Sequence, residues 1–160
     1  MNLSILLKYF WLIPIIVTGI NGIISWKKAQ RHINENPELK EGYEKLFHGY
    51  LVWINIPWVV MGIGCTIGGI PSIEHYLRPQ DGNPYVLVWF VTLFLLIVFA
   101  SFWLFFRDGA EKLVRYPVFI AFAGGSKKIT NPALIKILWL LGLAGTVIAI
   151  IIVIIYFTSV

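Results

Sequence analysis

The chain has 160 residues, of which 58% are hydrophobic and 13% are charged, and its formal net charge is +5. A soluble domain usually carries about 25% charged residues, so this composition argues against an ordinary water-soluble domain. A very apolar soluble bundle is the alternative, but it would have too little polar surface. The composition favours a protein whose main solvent is lipid.

Four charge-free runs of 18 to 25 residues alternate with short charged clusters. Since a membrane-crossing helix needs roughly 20 apolar residues, the predicted spans cover about 5–26, 49–71, 84–106 and 134–157. Trp and Tyr residues cluster near the ends of these runs, as expected at headgroup depth. We therefore predict an all-α fold, an integral membrane four-helix bundle that forms a single domain over residues 1–160.

The basic residues predict the orientation of these spans. Eleven of the 13 Lys and Arg residues lie in the connections 27–48 and 107–136, and only Lys8 and Arg78 lie elsewhere. Because basic connections stay in the cytoplasm, both termini and the short turn between the second and third spans are predicted to face outward. The predicted fold is thus two hairpins with cytoplasmic connections, in a bacterial inner membrane or its equivalent.

The charge also bears on partners. A basic inner face predicts attraction to anionic lipid. The insertion rule already explains the positive charge, so we expect no nucleic-acid partner. The bilayer, other membrane proteins or further copies of this chain are the expected partners.

Short helical segments are predicted in the cytoplasmic connections. Asn36-Pro37 is typical of a helix start, with Asn capping free N–H groups, and this helix should run into the second span. Asn131-Pro132 predicts the same start for the fourth span. The third span is expected to continue as a charged helix up to Pro117. Its expected ion-pair ladders are Arg107–Glu111–Arg115 and Asp108–Lys112.

Prolines interrupt the hydrogen-bond ladder of a helix. Pro14 in the first span and Pro57 in the second are therefore predicted to cause kinks.

Small and polar residues recur at helical spacing in the first two spans, a pattern typical of helix interfaces in lipid. Gly64 and Gly68 add a G-x-x-x-G element. Asn21 and Asn55 have similar predicted depths, so we expect their side chains to face each other and bond. The alternative is that these amides contact a ligand such as a quinone-like headgroup. The residues of this stripe are Thr18, Asn21, Ser25, Asn55, Gly62 and Thr66.

Two further segments carry weaker hypotheses. Glu74, His75 and Asp81 share the outer turn and form a weak candidate metal site, although a solvated turn is expected there. The segment Val118, Phe119, Ile120 and Phe122 is apolar but too short to span. It is expected to lie at the membrane interface, with re-entry and partner docking as alternatives.

The candidate chemistry of the chain is sparse. The four charge-free runs hold no Asp, Glu, Lys, Arg or His side chain, and the three His residues do not match in depth as a haem pair would. We expect no cofactor, and the leading hypothesis is a non-enzymatic accessory or structural component of a membrane complex. The alternative is a small oligomeric carrier or channel for a neutral or lipidic solute, and the third is a lipid-modifying membrane enzyme.

Overall fold

The computed structural model describes residues 3–77, 82–116, 118 and 129–158. Every regular element in these ranges is a helix and none is a strand, which confirms the all-α prediction. Two 3₁₀ turns, Pro37–Leu39 and Ile73–Leu77, accompany the α-helices. The α-helices are α1 (Leu3–Lys8), α2 (Leu12–Glu35), α3 (Lys40–Thr66), α4 (Pro84–Phe106), α5 (Gly109–Arg115) and α6 (Pro132–Thr158).

Two helices in the described part of the chain are long and apolar enough to cross a membrane. They are α4 and the continuous helical segment Pro37–Thr66, which contains α3. In α6, the portion Pro132–Ile148, where side chains are described, is apolar but shorter than 18 residues. α2 is not among the membrane-length apolar helices, since it combines aliphatic residues with polar ones and turns basic from Lys27.

The chain forms two compact units, Met1–Ala100 and Ser101–Val160, and the boundary between them falls within α4. The first unit contains the pair α2 and α3, which make the most extensive contacts between any two helices described. In the second unit, α5 packs on α6.

A break separates α1 from α2 at Tyr9–Trp11, where a single first span was predicted. Pro14 explains it, because proline has no N–H for the carbonyl of Phe10 and its ring crowds that carbonyl. Instead, the N–H of Ile13 donates to Phe10 in a tighter turn, with N···O 3.0 Å. The interruption thus lies one turn before Pro14, whereas α3 runs through Pro57 without interruption.

α2 continues helically beyond the predicted first span into the predicted connection, up to Glu35, and the chain reverses within a few residues. Asn36 ends α2, and its carbonyl accepts a hydrogen bond from the N–H of Leu39 at 3.0 Å. The predicted helix start at Asn36-Pro37 is confirmed, and this helix runs on through α3. The predicted cap is wrong, since the Asn36 side chain makes no capping hydrogen bond.

Small side chains on one face of α2 bring it close to α3. In three contacts that Trp11 and α2 make with α3, the residue numbers of the partners add to 73. Those pairs are Trp11 with Gly62, Gly22 with Leu51 and Trp26 with Phe47. The antiparallel register of the α2–α3 hairpin is therefore fixed along its length. The buried residues of α2 are Thr18, Gly22, Ser25, Ala29 and Ile33.

In the second unit, the charged helix predicted after the third span is present as α5 and ends at Arg115, before Pro117, but it is not continuous with α4. α4 ends at Phe106, and Asp108 takes a left-handed conformation with φ 56° before α5 begins. The next residue is Gly109, where a Cβ would lie 2.6 Å from the indole of Trp103. The tight turn replaces the predicted ladders, and Lys112 Nζ donates to the carbonyl of Arg107 at 3.0 Å.

α6 begins as predicted, since Asn131 Oδ1 accepts a hydrogen bond from the N–H of Ala133 at 2.9 Å. Near its start, Lys136 Nζ lies 2.9 Å from Glu111 Oε1 of α5. This hydrogen bond from Lys136 lowers the pKa of the Glu111 carboxyl. The pair links α5 to α6. It adds little stability, because Glu111 is exposed and ion pairs between exposed groups are weak.

A prediction follows from the contact between Trp11 and Gly62. In Gly62→Ala, the new Cβ would lie 2.7 Å from the indole of Trp11, which is held by its packing and cannot easily shift. We expect the variant to lose about 1–3 kcal/mol of stability by overpacking, seen as a lower unfolding midpoint in detergent.

Gly19→Ala is the matched control, since nothing lies within 4 Å of a Cβ built there. It should leave stability unchanged or raise it by up to about 1 kcal/mol through helix propensity. Equal midpoints for the two variants would show that Trp11 does not pack on Gly62.

Candidate functional site

The best-packed cluster of the first unit surrounds Tyr76. Tyr76 lies in the 3₁₀ turn Ile73–Leu77 and is fully buried, and its hydroxyl donates to the carbonyl of Met61 on α3 at 3.0 Å. The ring also meets the indole of Trp89 on α4 edge-on, with ring centroids 5.4 Å apart. We call this cluster the Tyr76 core. Its buried members are Met61, Cys65, Ile70, Tyr76 and Val86.

One glycine in α3 and one just after it make room for this cluster. A Cβ on Gly64 would collide with the hydroxyl of Tyr76, and one on Gly68 would lie 2.5 Å from the ring of Tyr85. The G-x-x-x-G element therefore accommodates aromatic rings, where the sequence pattern suggested close packing of a second helix backbone.

Sequence reasoning missed Tyr76 because it lies in a polar segment that reads as a solvated turn. One feature of the sequence could have indicated its role. Tyr76 follows shortly after a glycine-rich helix end, and glycines leave space for an aromatic side chain to fold back on the helix. The turn is therefore anchored to α3 by a buried side chain.

The weak metal candidates lie in and after the same turn. Glu74 is exposed, and the half-buried His75 has its Nδ1 3.3 Å from the Ser72 hydroxyl. Asp81 lies outside the described residues. Within the part of the chain that the structure describes, no three His, Cys, Asp or Glu side chains group as metal ligands.

Two indole N–H groups next to the Tyr76 core have no partner. Trp11 Nε1 and Trp89 Nε1 are buried without a hydrogen bond to any described residue. In the second unit, by contrast, Trp139 Nε1 donates to the Ser101 hydroxyl at 2.9 Å. Buried indole N–H groups usually form a hydrogen bond, so the unbonded N–H groups of Trp11 and Trp89 are locally destabilising.

The predicted hydrogen bond between Asn21 and Asn55 is not formed. Asn55 Nδ2 donates to the carbonyl of Leu51, one turn earlier in α3, at 2.7 Å. Asn55 Oδ1 is buried and has no partner among the described residues.

The register of the α2–α3 hairpin explains why this prediction is wrong. Residues of α2 and α3 that lie opposite each other have numbers that add to 73. Asn55 therefore lies opposite Thr18, and Asn21 lies about 4.5 Å further along α2. The prediction counted depth from Trp26 in the first span and from Gly49 in the second, as if these residues lay opposite each other. The expected alignment of the two helices was therefore shifted.

Asn55 lies in a groove of about 310 Å³ along one face of α3. The groove is almost entirely apolar, and Asn55 supplies its polar side chain. Its lining residues are Leu51, Val52, Asn55, Ile56, Val59 and Val60.

The structure brings some of the other stripe residues to the interface and not others. Thr18 and Ser25 are buried, each with 6% of its surface exposed, and Gly62 is buried under Trp11. Asn21 is half-buried. Thr66 is exposed, and its hydroxyl donates to the carbonyl of Gly62 within the same helix at 2.7 Å.

Of the candidate partner segment, only Val118 is described, and it is buried with 7% exposure. This side chain is therefore covered by the protein itself. Phe119, Ile120 and Phe122 lie outside the described residues.

The role of Tyr76 can be tested by removing one oxygen. Tyr76→Phe deletes the hydrogen bond to Met61 in a fully buried site, and we expect a loss of about 1 kcal/mol in unfolding free energy. The free energy would be measured by denaturant titration in detergent.

Tyr9→Phe is the control, because 45% of Tyr9 is exposed. It should change the unfolding free energy by less than about 0.5 kcal/mol. A Tyr76→Phe variant as stable as the wild type would contradict an anchoring role for the phenol.

Comparisons of the chain with models of protein families, with curated proteins and with solved structures found no match. Function is therefore inferred from the side chains themselves.

Proposed function

We propose that the protein is a four-span integral membrane protein that acts as a non-enzymatic component of a membrane complex. In this proposal the α2–α3 hairpin and the Tyr76 core form the protein's own fold. The remaining apolar faces contact lipid and partner proteins.

The observation that carries the proposal is how little of the apolar surface the chain buries. In the membrane-length window of α4 only 6% of residues are buried, and in that of the segment Pro37–Thr66 only 17%. Water does not tolerate so large a contiguous apolar surface, so lipid or protein must cover it. Phe side chains on α4, such as Phe94 at 65% exposure, add the aromatic area that protein interfaces favour.

Helix lengths support the other two proposed spans. α6 has 27 residues, with Lys136 near its start as its single charged residue, and would extend about 40 Å. α2 is aliphatic on its exposed face up to Ile24, and α1 extends the apolar segment beyond the break.

The first test is extraction and complex analysis. We expect the protein to stay with membranes after alkaline carbonate washing, and to leave them in mild detergent together with one or more defined protein partners. Native mass spectrometry would identify these partners. Release by carbonate would contradict membrane integration, and recovery as a lone monomer would contradict the complex.

A single variant addresses the partner-facing role of α4. Because Phe94 is mostly exposed, Phe94→Ala should not disturb the fold, but it should weaken partner retention by roughly tenfold if its ring is an interface anchor. Val147→Ala on α6, at an aliphatic side chain with 55% exposure, is the control and should retain the partner. Equal retention by both variants would contradict an α4 interface.

A second candidate function is favoured by the groove at Asn55. An apolar groove in which the Asn55 amide is the polar lining side chain suits a neutral lipidic solute that has a hydroxyl group, as a small oligomeric carrier would bind. Diacylglycerol, with one free hydroxyl, is a suitable probe.

Asn55→Leu separates this candidate from a purely structural role. Removal of an unpaired oxygen should change stability by less than about 1 kcal/mol, yet it should weaken diacylglycerol binding about tenfold through the lost hydrogen bond. Asn21→Leu, an amide outside the groove, should keep binding intact. Diacylglycerol binding that survives Asn55→Leu would exclude Asn55 as its acceptor.

A further inference from the structure

Three basic side chains on α2 lie just beyond its aliphatic part. Lys27, Lys28 and Arg31 are exposed and fall within about 100° of one helix face. The face that packs on α3 carries Ser25, Ala29 and Ile33 and points away from them. We call these three residues the α2 basic patch.

The α2 basic patch is uncompensated. Among the described residues none of its three members forms an ion pair, and the exposed Glu35, one turn beyond Arg31, is not bridged to it. Like charges at positions i and i+4, as in Lys27 and Arg31, repel one another. An external anion would relieve this repulsion.

The lysines at the start of α3 differ. Lys45 Nζ lies 2.6 Å from Glu41, and Lys40 Nζ lies 3.9 Å from Glu44, each one turn away on the same helix. The hairpin therefore carries one neutralised set of cations and one that is free to attract an anion. The α2 basic patch lies on the side of α2 opposite to the face that packs on α3.

The surface next to the α2 basic patch indicates what the anion belongs to. On the same face of α2, the side chains before Lys27 are aliphatic and open, with Ile20 53% exposed and Ile24 46% exposed. Trp26 marks the change from aliphatic to basic residues, at the position where interfacial aromatic residues occur. A ligand that fits this face has an apolar chain beside Ile20 and Ile24 and a negative group one to two turns further on.

We propose that this face of α2 binds an anionic phospholipid, with its acyl chain along Ile20 and Ile24 and its phosphate at Lys27, Lys28 and Arg31. The inference rests on the proposed membrane function and names a lipid partner and its site. Lys side chains donate to phosphate as point charges, and Arg31 can donate two parallel hydrogen bonds.

The test uses the full chain in nanodiscs of phosphatidylcholine mixed with phosphatidylglycerol. Native mass spectrometry of the released protein measures how strongly phosphatidylglycerol is retained over phosphatidylcholine. We expect a clear preference in the wild type, which weakens roughly tenfold or more in Lys27→Gln/Lys28→Gln/Arg31→Gln and falls with added salt.

Two matched variants control for charge. Lys40→Gln/Lys45→Gln removes cations that are already paired and should keep the preference close to wild type. Lys27→Arg/Lys28→Arg keeps the positive charge and should keep the preference too. A loss in the α3 variant equal to that in the triple variant would overturn the proposal, since net charge alone would then explain retention.

Two further outcomes are decisive. Glycerol phosphate in solution carries the phosphate without acyl chains. If it displaced phosphatidylglycerol at equal concentration, the site would bind free phosphate and the lipid proposal would be overturned. A wild type that inserts into the mixed discs without a lipid preference contradicts only this inference. A wild type that does not insert into the discs contradicts the proposed membrane function.

Discussion

The hydrogen bond from the buried Tyr76 phenol to the carbonyl of Met61 organises the first unit. In apolar surroundings such a bond is strong, and an unpaired phenol there would be costly. It forms only because Gly64 has no side chain to block the hydroxyl. Through it the segment after α3 folds back onto that helix, and the edge of the same ring meets Trp89 of α4. One side chain thus joins two helices and the turn between them.

The α2–α3 pair follows a second constraint, the close approach that small residues allow. Gly22 lies against Leu51, and the indole of Trp11 covers Gly62, so the two helices have one register over most of α2. That register, and not depth counted from the apolar boundaries, decides which polar groups meet. It separates Asn21 from Asn55, whose buried amide oxygen has no partner among the described residues although the residue lines an apolar groove.

The bounds of a long apolar helix could be predicted from the sequence, but the local backbone geometry of the turns could not. The predicted third span, 84–106, matches the bounds of α4, because a long uncharged run bounded by Pro84 and Arg107 leaves little choice. The helix starts at Pro37 and Pro132 were likewise predictable from proline chemistry. Spacing does not encode the left-handed conformation of Asp108, nor the folding back of Tyr76, which depends on the space at Gly64.

The predicted first span ends at residue 26 because polarity changes there, and the helix itself continues beyond that point. Backbone hydrogen bonds within α2 do not depend on whether lipid or water surrounds it, so the helix continues about 13 Å past Trp26 to Glu35. The small side chains that pack on α3 continue there as well, with Ala29 fully buried. Since this one stripe fixes the rotation of the whole helix, the cations that follow Trp26 must point away from α3. Packing therefore explains why these cations have no ion-pair partner among the described residues, while Glu41 and Glu44 pair with lysines of their own helix.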